Sequence, residues 1–191
     1  MARPKAFDPD EAIDRALEVF WTNGYDGTST QDLVDALQIN RSSLYGTFGC
    51  KRELYLLALK RYGLGADRLR RALEGPGPVK ARLRRALLSM AEDDLSVVRA
   101  RGCFAANAAL ELAPADEDVR RLVAAAFSQS QAALHEELER ARDAGELSSD
   151  ADVDALSAFL LNTLQGLRVI GIGTADRRLV EHAVDMSLAA F

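Results

Sequence analysis

Two short helical segments, 30–37 and 41–48, separated only by Gln38-Ile39-Asn40, constrain this chain more than any other feature. Helices this short are marginal on their own and must share a core with their neighbours. A three-residue connection sets the pair at an angle, which is the spacing of a helix-turn-helix. The periodicity turns Leu33, Val34 and Leu37 inward on the first segment. Leu44 and Phe48, four apart, form the apolar side of the second, leaving Arg41, Ser42, Ser43, Tyr45 and Thr47 for the outer side. Asn40 is placed to cap this second segment and Gly49 to end it.

The flanking sequence supplies the rest of a helical domain. Asp8-Pro9-Asp10-Glu11 reads as a capping box with proline at the first helical position, and Ile13, Ala16, Leu17 and Phe20 follow on one face. Gly24 stops that helix, and the turn 25–29 delivers Thr28 or Ser29 as the next cap. Cys50 sits at the cap position of a longer helix from Lys51 to about Leu73, which ends at the breaker cluster Glu74-Gly75-Pro76-Gly77-Pro78. Further helices are predicted over 79–95, 102–112, 116–144, 152–172 and 175–190, and no segment sustains strand alternation. The expected fold is all-α with about nine helices. Residues 1–50 form a three-helix helix-turn-helix domain and 51–191 a larger helical domain, with 51–73 connecting them.

The net charge is −5, so any affinity for nucleic acid must be local. Residues 39–52 supply such a patch, with Arg41, Lys51 and Arg52 and no acid, interleaved with hydroxyl side chains that suit phosphate oxygens. The same pattern also describes an ordinary solvated face. Its context is more specific. Gly24-Tyr25-Asp26-Gly27-Thr28-Ser29-Thr30, then Leu33, then Ile39-Asn40-Arg41-Ser42-Ser43-Leu44-Tyr45-Gly46-Thr47-Phe48, then Lys51 and Leu54, resembles the TetR/AcrR family signature over about residues 9–62. The resemblance implies that Tyr45 and Lys51 contact backbone phosphate, with Thr28, Ser29 and Thr30 at the start of the preceding helix. It places Arg41, Ser42, Ser43 and Thr47 on a recognition helix, where Arg41 is the candidate for a bidentate contact to guanine. Arg3 and Lys5 read as a disordered terminus or as an arm reaching a neighbouring groove. Gln38 departs from the family glycine, at roughly 1 kcal/mol if the backbone there is left-handed.

In the second half, the apolar stretch Val153–Gly173 is interrupted by Asn162, Gln165 and Arg168, so it reads as a covered helix and not a membrane span. Because it is apolar nearly all round, a second copy of the chain is the natural cover. The interface candidates are Leu156, Phe159, Leu160, Leu164 and Leu167, with Leu179, Ala183 and Met186 of the last helix. The family resemblance implies a homodimer built by pairing these two helices into a four-helix bundle, reading a near-palindromic operator on double-stranded DNA. The Gly102-Cys103 pair resembles a branch of the family whose cysteine senses electrophiles or oxidants. Helical spacing puts Cys103, Asn107, Leu110 and Glu111 on one face. Arg99, Arg101 and the helix start favour a thiolate at Cys103. The other reading of Cys103 is a small core residue. Phe104, Asn107, Phe127, Asn162, Gln165 and Arg168 are further candidates for contacting an effector, Arg168 first because a charge in an apolar helix needs a partner or an anionic ligand. His135 reads as solvent-facing.

No GxGxxG, P-loop, HExxH or Cys-x-x-Cys occurs, and two histidines do not assemble a metal site, so no cofactor, metal or enzymatic activity is expected. Two cysteines and a polar Met1 segment are consistent with a reduced, cytoplasmic, soluble protein. The expected function is a DNA-binding regulator, a repressor by family resemblance, released from its operator by a small-molecule effector. The alternatives are a redox or electrophile sensor acting through Cys103 and, from another class, a helical interaction scaffold.

Overall fold

Side-chain caps and backbone-compatible breakers set the helix boundaries in the computed structural model, which describes residues 7–63, 67–96 and 100–191. The regular structure among the described residues is helical, without strands. The order is α1 Pro9–Asn23, α2 Thr30–Leu37, α3 Arg41–Phe48, α4 Lys51–Gly63, α5 Asp67–Leu73, α6 Val79–Ala91 leading into a 3-10 turn Glu92–Leu95, α7 Phe104–Glu111, α8 Glu117–Asp143, α9 Val153–Thr174 and α10 Arg177–Ala189. The single helix expected over 51–73 is present as α4 and α5, with 64–66 outside the described residues. Arg3, Lys5 and Arg99 also fall outside them.

The capping box lies at α2, not α1. Ser29 Oγ accepts the Asp32 N–H at 3.1 Å while the Asp32 carboxylate accepts the Ser29 N–H at 2.7 Å. Those hydrogen bonds hold the Asp32 carboxyl below its ordinary pKa. At α1, Asp8 caps Asp10 N–H at 2.8 Å with Pro9 beside it, and nothing returns the bond. Gln38 ends α2 at φ 56° and ψ 39°, the left-handed conformation that glycine adopts without steric penalty. Gln38→Gly is therefore expected to raise stability by about 1 kcal/mol. Chemical denaturation checks this, and an unchanged or lowered midpoint would remove the strain assigned to Gln38.

Two apolar clusters organise the chain. The first gathers Phe20 of α1, Leu33 and Leu37 of α2 and Leu44 and Phe48 of α3 around Leu54, Tyr55 and Leu59 of α4, and continues into Phe104 and Ala108 of α7. The second joins α5, α6, α8, α9 and α10 through residues such as Leu83, Leu87, Leu134, Leu160, Leu164 and Val184. Helix α9 is long and apolar enough to cross a membrane by length and composition alone. Here it packs against α6, α8 and α10 with Leu160, Leu164 and Leu167 buried.

Polar bonds tie the N-terminal helices to the remainder. Arg52 of α4 holds Asp116 in a two-pronged ion pair at 2.7 and 2.8 Å and reaches Asp118 at 2.7 Å. Asp116 also caps α8 by accepting the N–H groups of Asp118 and Val119. The Arg52 hydrogen bond pulls the Asp116 carboxyl down to about 2. A depressed carboxylate adds stability above its unfolded pKa and loses it as pH falls through the folded value. Asp116→Asn, discounted for solvent screening, is expected to cost about 1 kcal/mol at neutral pH. Its acid-denaturation curve should rejoin the wild type by about pH 2. A gap that persists undiminished there would assign the loss to packing.

Candidate nucleic-acid interface and internal cavity

Helix α3 is held by its two apolar residues and left open elsewhere. Leu44 is fully buried and Phe48 nearly so, whereas Arg41, Ser42 and Gly46 are exposed and Tyr45 keeps 43% of its surface. Asn40 Oδ1 caps the helix by accepting the Ser43 N–H at 2.7 Å. Arg41 forms no ion pair among the described residues, and the Cβ of any residue replacing Gly46 would meet nothing within 4 Å. Ser43 and Thr47 are half-buried on the flanks of the same face. An unpaired guanidinium, two hydroxyls and a smooth backbone thus share one outward surface on a helix whose opposite side is fixed in the core. This arrangement can enter a major groove.

The neighbouring candidates are less open. Thr28 is buried, and its hydroxyl donates to the Gly24 carbonyl at 2.6 Å, which takes it away from a phosphate. Ser29 and Thr30 begin α2, with the Ser29 side chain engaged as the cap. Lys51 donates to the Thr28 carbonyl at 2.7 Å and lies 4.2 Å from the centre of the Tyr25 ring, so it pins the turn before α2 to the start of α4. Arg52, counted in the basic patch from sequence, is neutralised by Asp116 and Asp118.

Behind the head, a cavity of about 330 Å3 opens between α1, α4, α5, α8 and α9. Of the expected effector contacts, Cys103, Phe127, Gln165 and Arg168 line it. Phe104 does not: it is buried among Trp21, Tyr55 and Tyr62, with ring centroids 5.5 Å from Tyr55 and 5.7 Å from Tyr62. Asn107 is exposed and donates to the Arg101 carbonyl at 2.9 Å. Asn162 is exposed on the outer side of α9 and donates back to the Ala158 carbonyl. The common face expected for Cys103, Asn107 and Leu110 does not form. Gly102 is left-handed at φ 67° and Cys103 is extended, so α7 begins only at Phe104 and Cys103 turns inward while Leu110 stays 84% exposed. His135 is half-buried, with Nε2 3.1 Å from the Asp154 carboxylate, and not simply solvent-facing.

Arg168 has its partner inside the protein. Its Nε donates to Asp94 at 2.7 Å, one terminal nitrogen to Tyr62 Oη at 3.3 Å and the other to the Gly102 carbonyl. Asp94 accepts the Gly102 N–H at 2.8 Å with its second oxygen, and Tyr62 Oη donates to Cys103 Sγ at 3.3 Å. Burial first, and then the adjacent thiol, push the Tyr62 phenol well above its usual pKa. The Gly102 carbonyl also accepts Trp21 Nε1 at 3.0 Å, and Arg101 stacks 4.3 Å from the Trp21 ring while pairing with Glu18. Glu111 accepts the backbone N–H groups of Tyr25 and Asp26 at 3.1 and 3.0 Å. Sequence reasoning gave Asp94, Tyr62 and Trp21 no role and placed Glu111 on the thiol's face. Only the unexplained charge of Arg168 signalled that a partner or an anionic ligand had to be near.

A helix-turn-helix head with an open reading helix, joined to an all-helical body that encloses a cavity, defines a helix-turn-helix transcriptional regulator. The family profile described as "Bacterial regulatory proteins, tetR family" matches residues 12–58, and "Tetracyclin repressor-like, C-terminal domain" matches 79–186. The chain belongs to the TetR family. It is 39% identical over 192 residues to the HTH-type transcriptional regulator YezE of Bacillus subtilis (strain 168), covering 99% of this chain and 98% of that one. It is 30% identical to the HTH-type transcriptional repressor ComR of Escherichia coli (strain K12), covering 87% of this chain and 80% of ComR. A solved structure of a cysteine mutant of the TetR family transcriptional regulator CifR, in complex with a 26 bp double-strand operator DNA, superposes with a TM-score of 0.85. That alignment is 33% identical and covers 99% of this chain and 100% of CifR.

Proposed function

We propose that this chain is a cytoplasmic, homodimeric repressor that holds a near-palindromic operator through α2 and α3 and releases it when a small molecule fills the cavity. The open face of α3, with unpaired Arg41 beside Ser42 and Tyr45, carries the reading. The operator complex of CifR and the repressor ComR support it. Residues 1–50 act as the DNA-binding domain, 51–191 as the effector-binding and dimerisation domain, and 51–73 as the connector. Arg41 addresses a base, while Ser29, Thr30, Ser42, Ser43, Tyr45, Thr47 and Lys51 address the backbone. Thr28 contributes through its carbonyl hold on Lys51.

The dimer surface favoured by exposure is narrower than the sequence list. Leu160, Leu164 and Leu167 are at most 2% exposed and serve the subunit's own core, and Leu156 and Ala183 pack against it. The outward stripe is Phe159, Gly166, Val169, Ile170 and Gly173 on α9, with Leu179 and Met186 on α10. The two glycines have nothing within 4 Å of a Cβ position, which lets a second backbone approach closely.

Fluorescence anisotropy on DNA flanking the chain's own gene tests the reading. Arg41→Ala is expected to weaken binding by about 1–3 kcal/mol, roughly fivefold to 150-fold, with circular dichroism unchanged. Tyr45→Phe should lose less, and binding should fall steeply with salt. Full affinity in both variants would take α3 out of the interface.

One observation favours a second mode of release. Cys103 Sγ lies on the cavity wall, where a small molecule can reach it, and accepts a hydrogen bond from Tyr62. An α,β-unsaturated carbonyl would add there, the sulfur bonding the β-carbon and the thiol proton passing to the α-carbon. Operator release by such a compound should vanish in Cys103→Ser, and its persistence there would exclude this mode.

A further inference from the structure

The cavity is unequal at its two ends and has a wall that belongs to the DNA-reading head. Leu17 and Trp21 of α1, Met90, Ala126, Phe127 and Leu164 make its apolar sides. At the inner end the hydrogen-bonding capacity of Asp94, Arg168 and Tyr62 is largely turned on one another and on Gly102 and Cys103. Gln165 is different: its Oε1 is buried and accepts no hydrogen bond. A buried acceptor without a donor is costly, so this atom favours a ligand that brings an O–H or N–H. At the more exposed end the lining includes Asp14, Arg61, Arg68 and Arg71. Asp14 is already paired with Arg61 at 3.3 Å, and Asp10 holds the same guanidinium. No carboxylate pairs with Arg71 among the described residues. Arg71 therefore stands at the cavity as a cation without a carboxylate partner.

We infer that the cavity takes a small apolar carboxylic acid bearing a hydroxyl or amide donor, its donor on Gln165 Oε1 and its carboxylate at Arg71. This deepens the effector-release reading above and rests on it. The volume of about 330 Å3 suits a single-ring molecule, being near the lower end for ligand pockets. Because Asp14, Leu17 and Trp21 of α1 form part of the wall, the acid touches the reading head itself. Release then needs no relay through distant helices: filling the space between α1 and α8–α9 shifts α1 directly, and with it α2 and α3.

Trp21 is the one tryptophan of the chain and lines the cavity, so its emission reports occupancy independently of DNA. The probes are p-hydroxybenzoate, benzoate, which lacks the donor, and p-hydroxybenzyl alcohol, which lacks the charge. Saturable binding of p-hydroxybenzoate, by Trp21 emission and calorimetry, is expected to be about tenfold tighter than for either analogue. Arg71→Gln should weaken both acids and leave the alcohol unchanged, and Gln165→Leu should weaken the two hydroxylated probes and leave benzoate unchanged. p-Hydroxybenzoate should also lower operator affinity in the anisotropy assay. Failure of p-hydroxybenzoate to bind, an alcohol that binds as tightly, or an Arg71→Gln variant with wild-type affinity would each overturn the assignment. Operator binding without ligand is read separately through Arg41→Ala, so loss of this inference and loss of the regulator reading are distinct results.

Discussion

Arg168→Met is expected to destabilise the protein by about 3–5 kcal/mol, because it strands a carboxylate in the interior. Asp94 is 1% exposed and Arg168 4%, and the two are joined at 2.7 Å. Burial works against the arginine's charge, yet Tyr62, Cys103 and Asp94 around it hold its pKa above the ordinary value. Removing the guanidinium leaves one Asp94 oxygen with the Gly102 N–H and the other with nothing. Arg168→Met combined with Asp94→Asn removes both charges and keeps an acceptor for Gly102, so it should recover a large part of the loss. Denaturant unfolding of the single and double variants measures this. A double variant no more stable than the single one would show that packing around position 168 matters more than the orphaned charge.

Phe104→Ala is expected to cost about 3–5 kcal/mol, a large aromatic lost from a packed core. Phe104 is 1% exposed and faces the rings of Trp21 at 6.4 Å, Tyr55 at 5.5 Å and Tyr62 at 5.7 Å. It belongs to α7, yet the cluster that buries it is that of α1–α4. The loss should therefore appear as lowered stability together with weakened operator binding, as the head loses its seat. Asn107→Ala, three residues on and exposed, should stay within about 0.5 kcal/mol of wild type. Comparable losses in the two variants would contradict the packing described for α7.

Helices with periodic apolar faces and recognisable caps were legible in the sequence: Leu44 and Phe48 of α3 stand where the pattern put them, and of the two cap candidates for α2 it is Ser29 that serves. Failures cluster where a single residue's backbone decides direction. A left-handed Gly102 delays α7 and sends Cys103 inward, and helical spacing applied from residue 102 therefore paired it with the wrong neighbours. Long-range ion pairs were illegible for another reason. Asp116 and Asp118 are 64 and 66 residues from Arg52, so a local count of charge kept Arg52 in the basic patch. On α9, composition identified a helix that must be covered but not which side. Separating Leu160, Leu164 and Leu167 from Phe159 and Val169 required the positions of α6, α8 and α10.

The Gly102 carbonyl accepts from Trp21 of α1 and from Arg168 of α9, and any side chain at residue 102 would meet Ile172 Cδ1 of α9 at 2.8 Å. One peptide oxygen is thus a shared constraint on α1 and on α9. Substitutions on α1 and on α9 should be epistatic, their effects failing to add although the side chains lie 147 positions apart in the chain (168 minus 21). Within the lineage of this protein, the buried residues of α9 and those that seat the reading head are then expected to drift together, and an exchange of C-terminal halves between relatives should succeed only when Trp21 or its replacement travels with them.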